Sequence, residues 1–209
     1  MFSMRAVKNL LVLYTGGTIG MLETPEGLAP AGGFEARMRE HFAKMADAPQ
    51  VHWSLQELNP LLDSANMQQH NWLAMRDAIV EAVDVAGHDG VLVLHGTDSM
   101  AYSAAALSFL LLGLPVPVLL TGSMLPAGAA DSDAWANLCG ALRQFEQGWR
   151  MACSCTSTIS CCMAAGGRSF AARRSMPLLR CRVIATASGP VRFPPSLATS
   201  TRASRSTWR

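Results

Sequence analysis

Three apolar runs, each stopped by a turn of small hydroxyl and glycine residues, constrain this chain more than any other feature. Val7–Tyr14 ends in Thr15-Gly16-Gly17, Gly90–His95 ends in a polar turn, and Val116–Leu120 ends in Thr121-Gly122-Ser123. A strand that is apolar at every position, and not only at alternate ones, is covered on both faces. Between these runs lie segments of helical period. Phe34–Met45 places Phe34, Met38, Phe42 and Met45 on one face, and Gln69–Ala86 does the same with Trp72, Met75, Ile79, Ala82 and Val83. Met100–Leu111 and Ala134–Phe145 read as two further helices, Val51–Leu55 as a short strand and Leu58–Asp63 as a loop. The alternation predicts an α/β fold, a doubly wound parallel sheet with helices on both faces.

In such sheets ligands bind beyond the carboxyl ends of the strands, where the three polar turns are expected to converge. Gly16-Gly17 allows a sharp turn and close approach of a ligand to the main chain, and Thr18 follows with an exposed hydroxyl. A phosphate loop is not indicated, because no lysine lies near and the GxGxxG spacing is absent. The second turn, His95-Gly96-Thr97-Asp98-Ser99, has two readings. Asp98 and Thr97 could cap the helix that begins near Met100. Alternatively, a hydroxyl beside a carboxylate forms a relay that activates a nucleophile, and the carboxylate could hold an ammonium group.

The net charge of +2 conceals two different compositions. All 15 acidic residues and seven basic ones lie in 1–149, while 150–209 holds ten arginines and no acid. Cysteine follows the same seam, with Cys139 before it and Cys153, Cys155, Cys161, Cys162 and Cys181 after it. A secretory signal is not recognisable in the first residues, so a reducing cytoplasm is expected. The apolar segment Ala104–Leu125 is cut by Gly113, Pro115 and Pro117 into pieces too short to cross a bilayer. No membrane partner is expected.

Residues 8–147 resemble the N-terminal domain of bacterial L-asparaginases, in particular the cytoplasmic type I enzymes. The resemblance is carried by YTGGTIGM at 14–21, PLLDSANM at 60–67, LHGTDSMAYSAAALSFLL at 94–111, and TGSMLP at 121–126 followed by SD at 132–133. It implies hydrolysis of L-asparagine to aspartate and ammonia without cofactor or metal. It also implies a large α/β domain followed by a smaller one, assembled as homodimers or homotetramers. By motif, Thr18 matches the nucleophilic threonine, Thr97 the second essential threonine, and Asp98 the residue that binds the substrate amino group and joins the relay. Ser64, preceded by Asp63, matches the serine that binds the α-carboxylate, while Gly17, Gly96 and Ser123 match positions lining the pocket. Main-chain N–H groups of these loops, that of Thr97 included, would stabilise the oxyanion.

The chain departs from the pattern in several places. Leu28 stands where the family's mobile loop usually carries a tyrosine, and Asp131 replaces an arginine often found before the SD pair. The family's lysine, about 65 residues beyond the Thr-Asp pair, has no counterpart, since Lys8 and Lys44 are the only lysines. The family's C-terminal domain is missing as well, which makes assembly doubtful and predicts little or no activity. Related readings are a glutaminase-asparaginase, the amidase component of a tRNA-dependent amidotransferase, or a non-catalytic amino-acid-binding remnant.

The last sixty residues do not suggest a site. Their cysteines lack zinc-ligand spacing and have no histidine downstream. Their arginines follow no period and have few aromatic neighbours, so no nucleic-acid partner is expected. Read one frame over, Ala152–Cys162 permits Val-Gln-Leu-Tyr-Phe-Asn-Asp-Gln-Leu-Leu. The following codons permit Gly-Gly-Arg-x-Thr-Lys, with a lysine at the family's spacing. The expectation is a domain over 1–149 and a frameshifted, disordered tail over 150–209.

Overall fold

A computed structural model describes residues 4–5, 7–25, 27–147, 149–150 and 159–161. Its centre is a five-stranded parallel sheet in the order β5-β2-β6-β7-β9. The strands are β2 (Asn9–Gly16), β5 (His52–Leu62), β6 (Gly90–Leu94), β7 (Val118–Thr121) and β9 (Ile159–Cys161). Two small antiparallel pairs accompany it: β1 (Met4–Arg5) with β8 (Trp149–Arg150), and the hairpin of β3 (Leu22–Thr24) with β4 (Gly27–Ala29).

The apolar runs divide between two cores by the two-residue alternation of a strand. On one face Leu10, Val12, Tyr14, Leu92, Leu94 and Leu119 pack against Phe34 and Met38 of α1 (Phe34–Ala43) and Leu138, Leu142 and Phe145 of α4 (Ala134–Glu146). On the other, Leu11, Leu13, Val91, Val93, Val118 and Leu120 meet Met75 and Ile79 of α2 (Gln69–Asp84) and Ala104 and Leu107 of α3 (Met100–Leu110). Each Val, Leu, Ile, Phe or Met side chain among them, withdrawn fully from water, contributes roughly 1.5–3 kcal/mol before entropy is counted. All five residues of β6 are buried, as a central strand between covered faces requires. Parallel registers such as Val12↔Leu92 and Leu94↔Thr121 bring the strand ends level, and with them the polar turns.

The expected α/β class and four helices are present, with ends differing by one or two residues. The edge strand differs more. Residues expected as a loop at Leu58–Asp63 continue β5 to Leu62. They do so through a bulge, since Tyr14 pairs with Glu57 while Gly16 pairs with Leu62. An outer strand tolerates this, and tolerates Pro60, because among the described residues one of its edges has no neighbour to satisfy. Ile159–Cys161, inside the stretch expected to be disordered, pairs in parallel with β7, Val118 opposite Ile159. Apart from these residues and β8, the tail and its cysteine side chains lie outside the described residues. Among the described residues, no helix is long and apolar enough to cross a membrane.

Candidate active site

Four loops meet at the carboxyl ends of β2, β5, β6 and β7. The first begins at Gly16 and Gly17, whose φ angles of 111° and 80° lie where a side chain would be strained. The Gly17 N–H donates to the Leu62 carbonyl at 3.0 Å, tying this loop to the end of β5. A Cβ on Gly17 would come within 2.5 Å of the Gly96 main chain, so the first and third loops touch backbone to backbone. Thr18, half-buried, then opens a 3-10 turn over Thr18–Gly20.

The second loop continues β5 into a 3-10 turn over Ser64–Asn66. The exposed Asp63 caps it by accepting the Ala65 N–H at 3.1 Å. Ser64 is buried, and its Oγ accepts the Asp98 main-chain N–H at 3.2 Å and lies 3.5 Å from the Asp98 carboxylate. Ser99 donates from Oγ to the Ser64 carbonyl at 2.7 Å. A Cβ on Gly96 would stand 2.6 Å from the Ser64 Cβ, so glycine is what lets these loops close. Of the two readings of Asp98, the capping one fails: Ser99 is the N-cap of α3, without a side-chain cap bond. The Asp98 carboxylate is exposed and Thr97 half-buried, both at the mouth of the same turn.

Beneath them His95 is fully buried. Burial pushes its pKa below the usual histidine value, and a neutral ring can donate from Nδ1 to the Gly96 carbonyl at 2.7 Å. The fourth loop follows β7. Its Ser123 is buried and donates to the Leu125 carbonyl at 2.6 Å, while Asp133 accepts the Met124 N–H at 3.0 Å and the Leu125 N–H at 3.2 Å. The Ala127 N–H donates to the Ile19 carbonyl at 3.1 Å, joining this loop to the turn that begins at Thr18. All eight motif residues therefore lie in loops that contact one another, with Thr18 and Thr97 half-buried, Asp63 and Asp98 exposed, and Gly17, Ser64, Gly96 and Ser123 buried. Among the described residues, no group of three or more His, Cys, Asp or Glu side chains could hold a metal ion.

The sequence model of the asparaginase N-terminal family matches residues 9–174, past the change of composition at 149–150. The chain belongs to the asparaginase family. L-asparaginase 1 of Escherichia coli K12 is 38% identical over 135 residues, which cover 65% of this chain and 39% of that protein. A glutamyl-tRNA(Gln) amidotransferase component of Methanopyrus kandleri is 35% identical over 135 residues, covering 64% of this chain and 29% of that protein. Among solved structures, L-asparaginase I of Vibrio cholerae superposes with a TM-score of 0.56 at 38% identity, over 68% of this chain and 41% of that one. The chain thus spans about two fifths of the length of the asparaginases it matches.

Two departures from the family pattern acquire a structural setting. Leu28 sits on the β3–β4 hairpin, 52% exposed. The Tyr14 hydroxyl is buried below the hairpin and donates to the Ala31 carbonyl at 3.3 Å. Asp131 adopts φ 57°, a left-handed conformation that aspartate tolerates better than most residues. The supports of the site, Tyr14, His95, Ser99 and Asp133, all lie inside the motifs quoted from the sequence, but those motifs assign them no role, because contacts such as Ser99 with Ser64 and Tyr14 with Ala31 are made between loops and leave no spacing signal.

Proposed function

We propose that residues 1–149 carry the nucleophile and substrate clamp of an L-asparagine amidohydrolase. The observation that carries the reading is the meeting of Gly17, Ser64, Gly96 and Asp98 across the ends of β2, β5 and β6. It sets the Thr18 and Thr97 turns at one mouth. Thr18 attacks the side-chain amide and releases ammonia, and water then hydrolyses the aspartyl ester. Ser64 binds the α-carboxylate and Asp98 the α-ammonium, while N–H groups of the surrounding loops face the oxyanion. The protein acts in the cytoplasm, without metal or cofactor, and its family assembles as dimers or tetramers.

The 209-residue chain itself turns over asparagine slowly or not at all. Its lysines are Lys8 and Lys44, so the relay from Thr97 has no lysine at the family's spacing. The acid-free composition of 150–209, together with the lysine permitted one frame over, supports a shifted reading frame near codon 150. Calorimetric titration with L-aspartate, the product, tests the clamp without requiring turnover. Saturable binding that weakens at least about tenfold in both Ser64→Ala and Asp98→Asn is the expected result. Binding indifferent to both changes would contradict the assignment.

A further inference from the structure

The β3–β4 hairpin rises from the Thr18–Gly20 turn and rejoins the body of the protein near Ala31, and both of its feet rest on one side chain. Arg37 of α1 donates from Nη2 to the Gly20 carbonyl at 3.0 Å and to the Ala31 carbonyl at 3.5 Å. The Tyr14 hydroxyl donates to the same Ala31 carbonyl, and a Cβ on Gly20 would overlap that hydroxyl. The guanidinium carbon lies 4.9 Å from the centroid of the fully buried Phe34 ring. Glu57 of β5 accepts the Phe34 N–H at 3.1 Å, fixing the start of the helix that carries Arg37.

The three carbonyls of the turn are held in different ways. That of Thr18 accepts from the Met21 N–H and that of Ile19 from the Ala127 N–H, both from the main chain. That of Gly20 accepts from Arg37. The turn therefore depends on one side chain as well as on backbone. Arg39 on the same helix lies at the surface, paired with Glu35 and over the Trp53 ring, and among the described residues it reaches no main-chain carbonyl of another loop. Arg37 turns inward even though its Nη1 is buried with no partner among the described residues.

We infer that Arg37 is a positioning residue that joins the two feet of the hairpin and thereby fixes the turn presenting Thr18. Both bonds leave the one nitrogen Nη2, whose two N–H groups are fixed in the guanidinium plane and face two carbonyls at once, whereas a lysine ammonium is a compact point charge on a flexible stem. The catalytic consequence rests on the proposed role of Thr18; the structural claim does not.

Hydrogen exchange read by mass spectrometry on the 209-residue chain, with Arg37→Met and Arg37→Lys, tests it. In Arg37→Met, amides of the peptide covering 15–33 should exchange at least about tenfold faster while peptides from β6 and α4 keep their rates. Arg37→Lys should recover part of the protection. Equal acceleration in every peptide, or none, would overturn the inference. In a frame-restored protein with turnover, Arg37→Met should lower kcat about tenfold or more while KM changes little. Absence of turnover in the unsubstituted protein would count against the amidohydrolase reading and leave the exchange rates to decide on Arg37.

Discussion

The Asp98 main-chain N–H donates to the Ser64 hydroxyl at 3.2 Å, joining two loops whose residues lie 34 positions apart in the chain. Ser64 is buried, and its hydroxyl ties the Asp98 turn to the loop at the end of β5. Replacing it by alanine should leave that N–H without its partner, lowering stability by roughly 1–3 kcal/mol. Urea denaturation of Ser64→Ala checks this, with Ser64→Thr expected to keep more of the bond than alanine does.

The glycines of the site are steric requirements. Gly96→Ala would drive a methyl group into the Ser64 side chain, and Gly17→Ala would drive one into the Gly96 backbone at a φ of 80°. Each should cost about 1–3 kcal/mol or more, by overpacking and, at Gly17, by strain. Gly140, where a Cβ meets nothing within 4 Å, serves as the control, and Gly140→Ala should be neutral or mildly stabilising. Thermal unfolding of the three variants decides the order.

The sheet was readable because its inner strands carry unbroken apolar stretches, Leu10–Tyr14, Val91–Leu94 and Val118–Leu120, which a strand covered on both faces requires. The edge strand β5 was half hidden, since polar residues and Pro60 interrupt it and the bulge opposite Tyr14–Gly16 has no local signature. The hairpin escaped because three-residue strands such as Leu22–Thr24 are too short for a period to show. At the site, the motifs named Thr18, Ser64, Thr97 and Asp98, but their contacts are made across the sheet and leave no spacing signal. Arg37 was invisible for another reason: an arginine on the polar side of a helix reads as a solvated charge, and nothing local tells it from Arg39.

The buried His95 makes stability depend on acid. Its pKa is lowered by burial, so below the ordinary value near 6.5 the unfolded chain binds a proton that the folded protein resists. Stability from this group is fully present above that value and is lost as pH falls through it toward the folded pKa. Denaturant midpoints between pH 7 and pH 5 should fall less steeply in His95→Asn, whose side-chain amide can still donate to the Gly96 carbonyl. His41, also lowered, is present in both proteins and cancels in the comparison.

Tyr14 sets the opposite limit. Burial raises its pKa from 10.0 to about 12. The folded state therefore keeps a proton that the unfolded chain releases, and this contribution is present below pH 10 and lost as pH rises toward 12. Tyr14→Phe should remove that part of the alkaline loss, read as a flatter stability profile above pH 10. An unchanged profile would mean that the hydroxyl is not held as described.

The reading frame can be checked directly. Resequencing the gene around codons 145–170 should recover a frame that restores acidic residues and a lysine downstream of Thr97-Asp98. A verified sequence identical to the present one would remove the frameshift from the account while leaving the strand-end site as it stands.

Ammonia release from L-asparagine by the frame-restored protein, compared with its Thr18→Val variant, tests the central claim most directly. The account predicts little or no release by the 209-residue chain and turnover in the restored protein. The valine variant should lose turnover by about a thousandfold or more, because it keeps the shape of threonine and lacks only the attacking hydroxyl. A restored protein that folds yet releases no ammonia from asparagine or glutamine, or a valine variant that remains active, would contradict it.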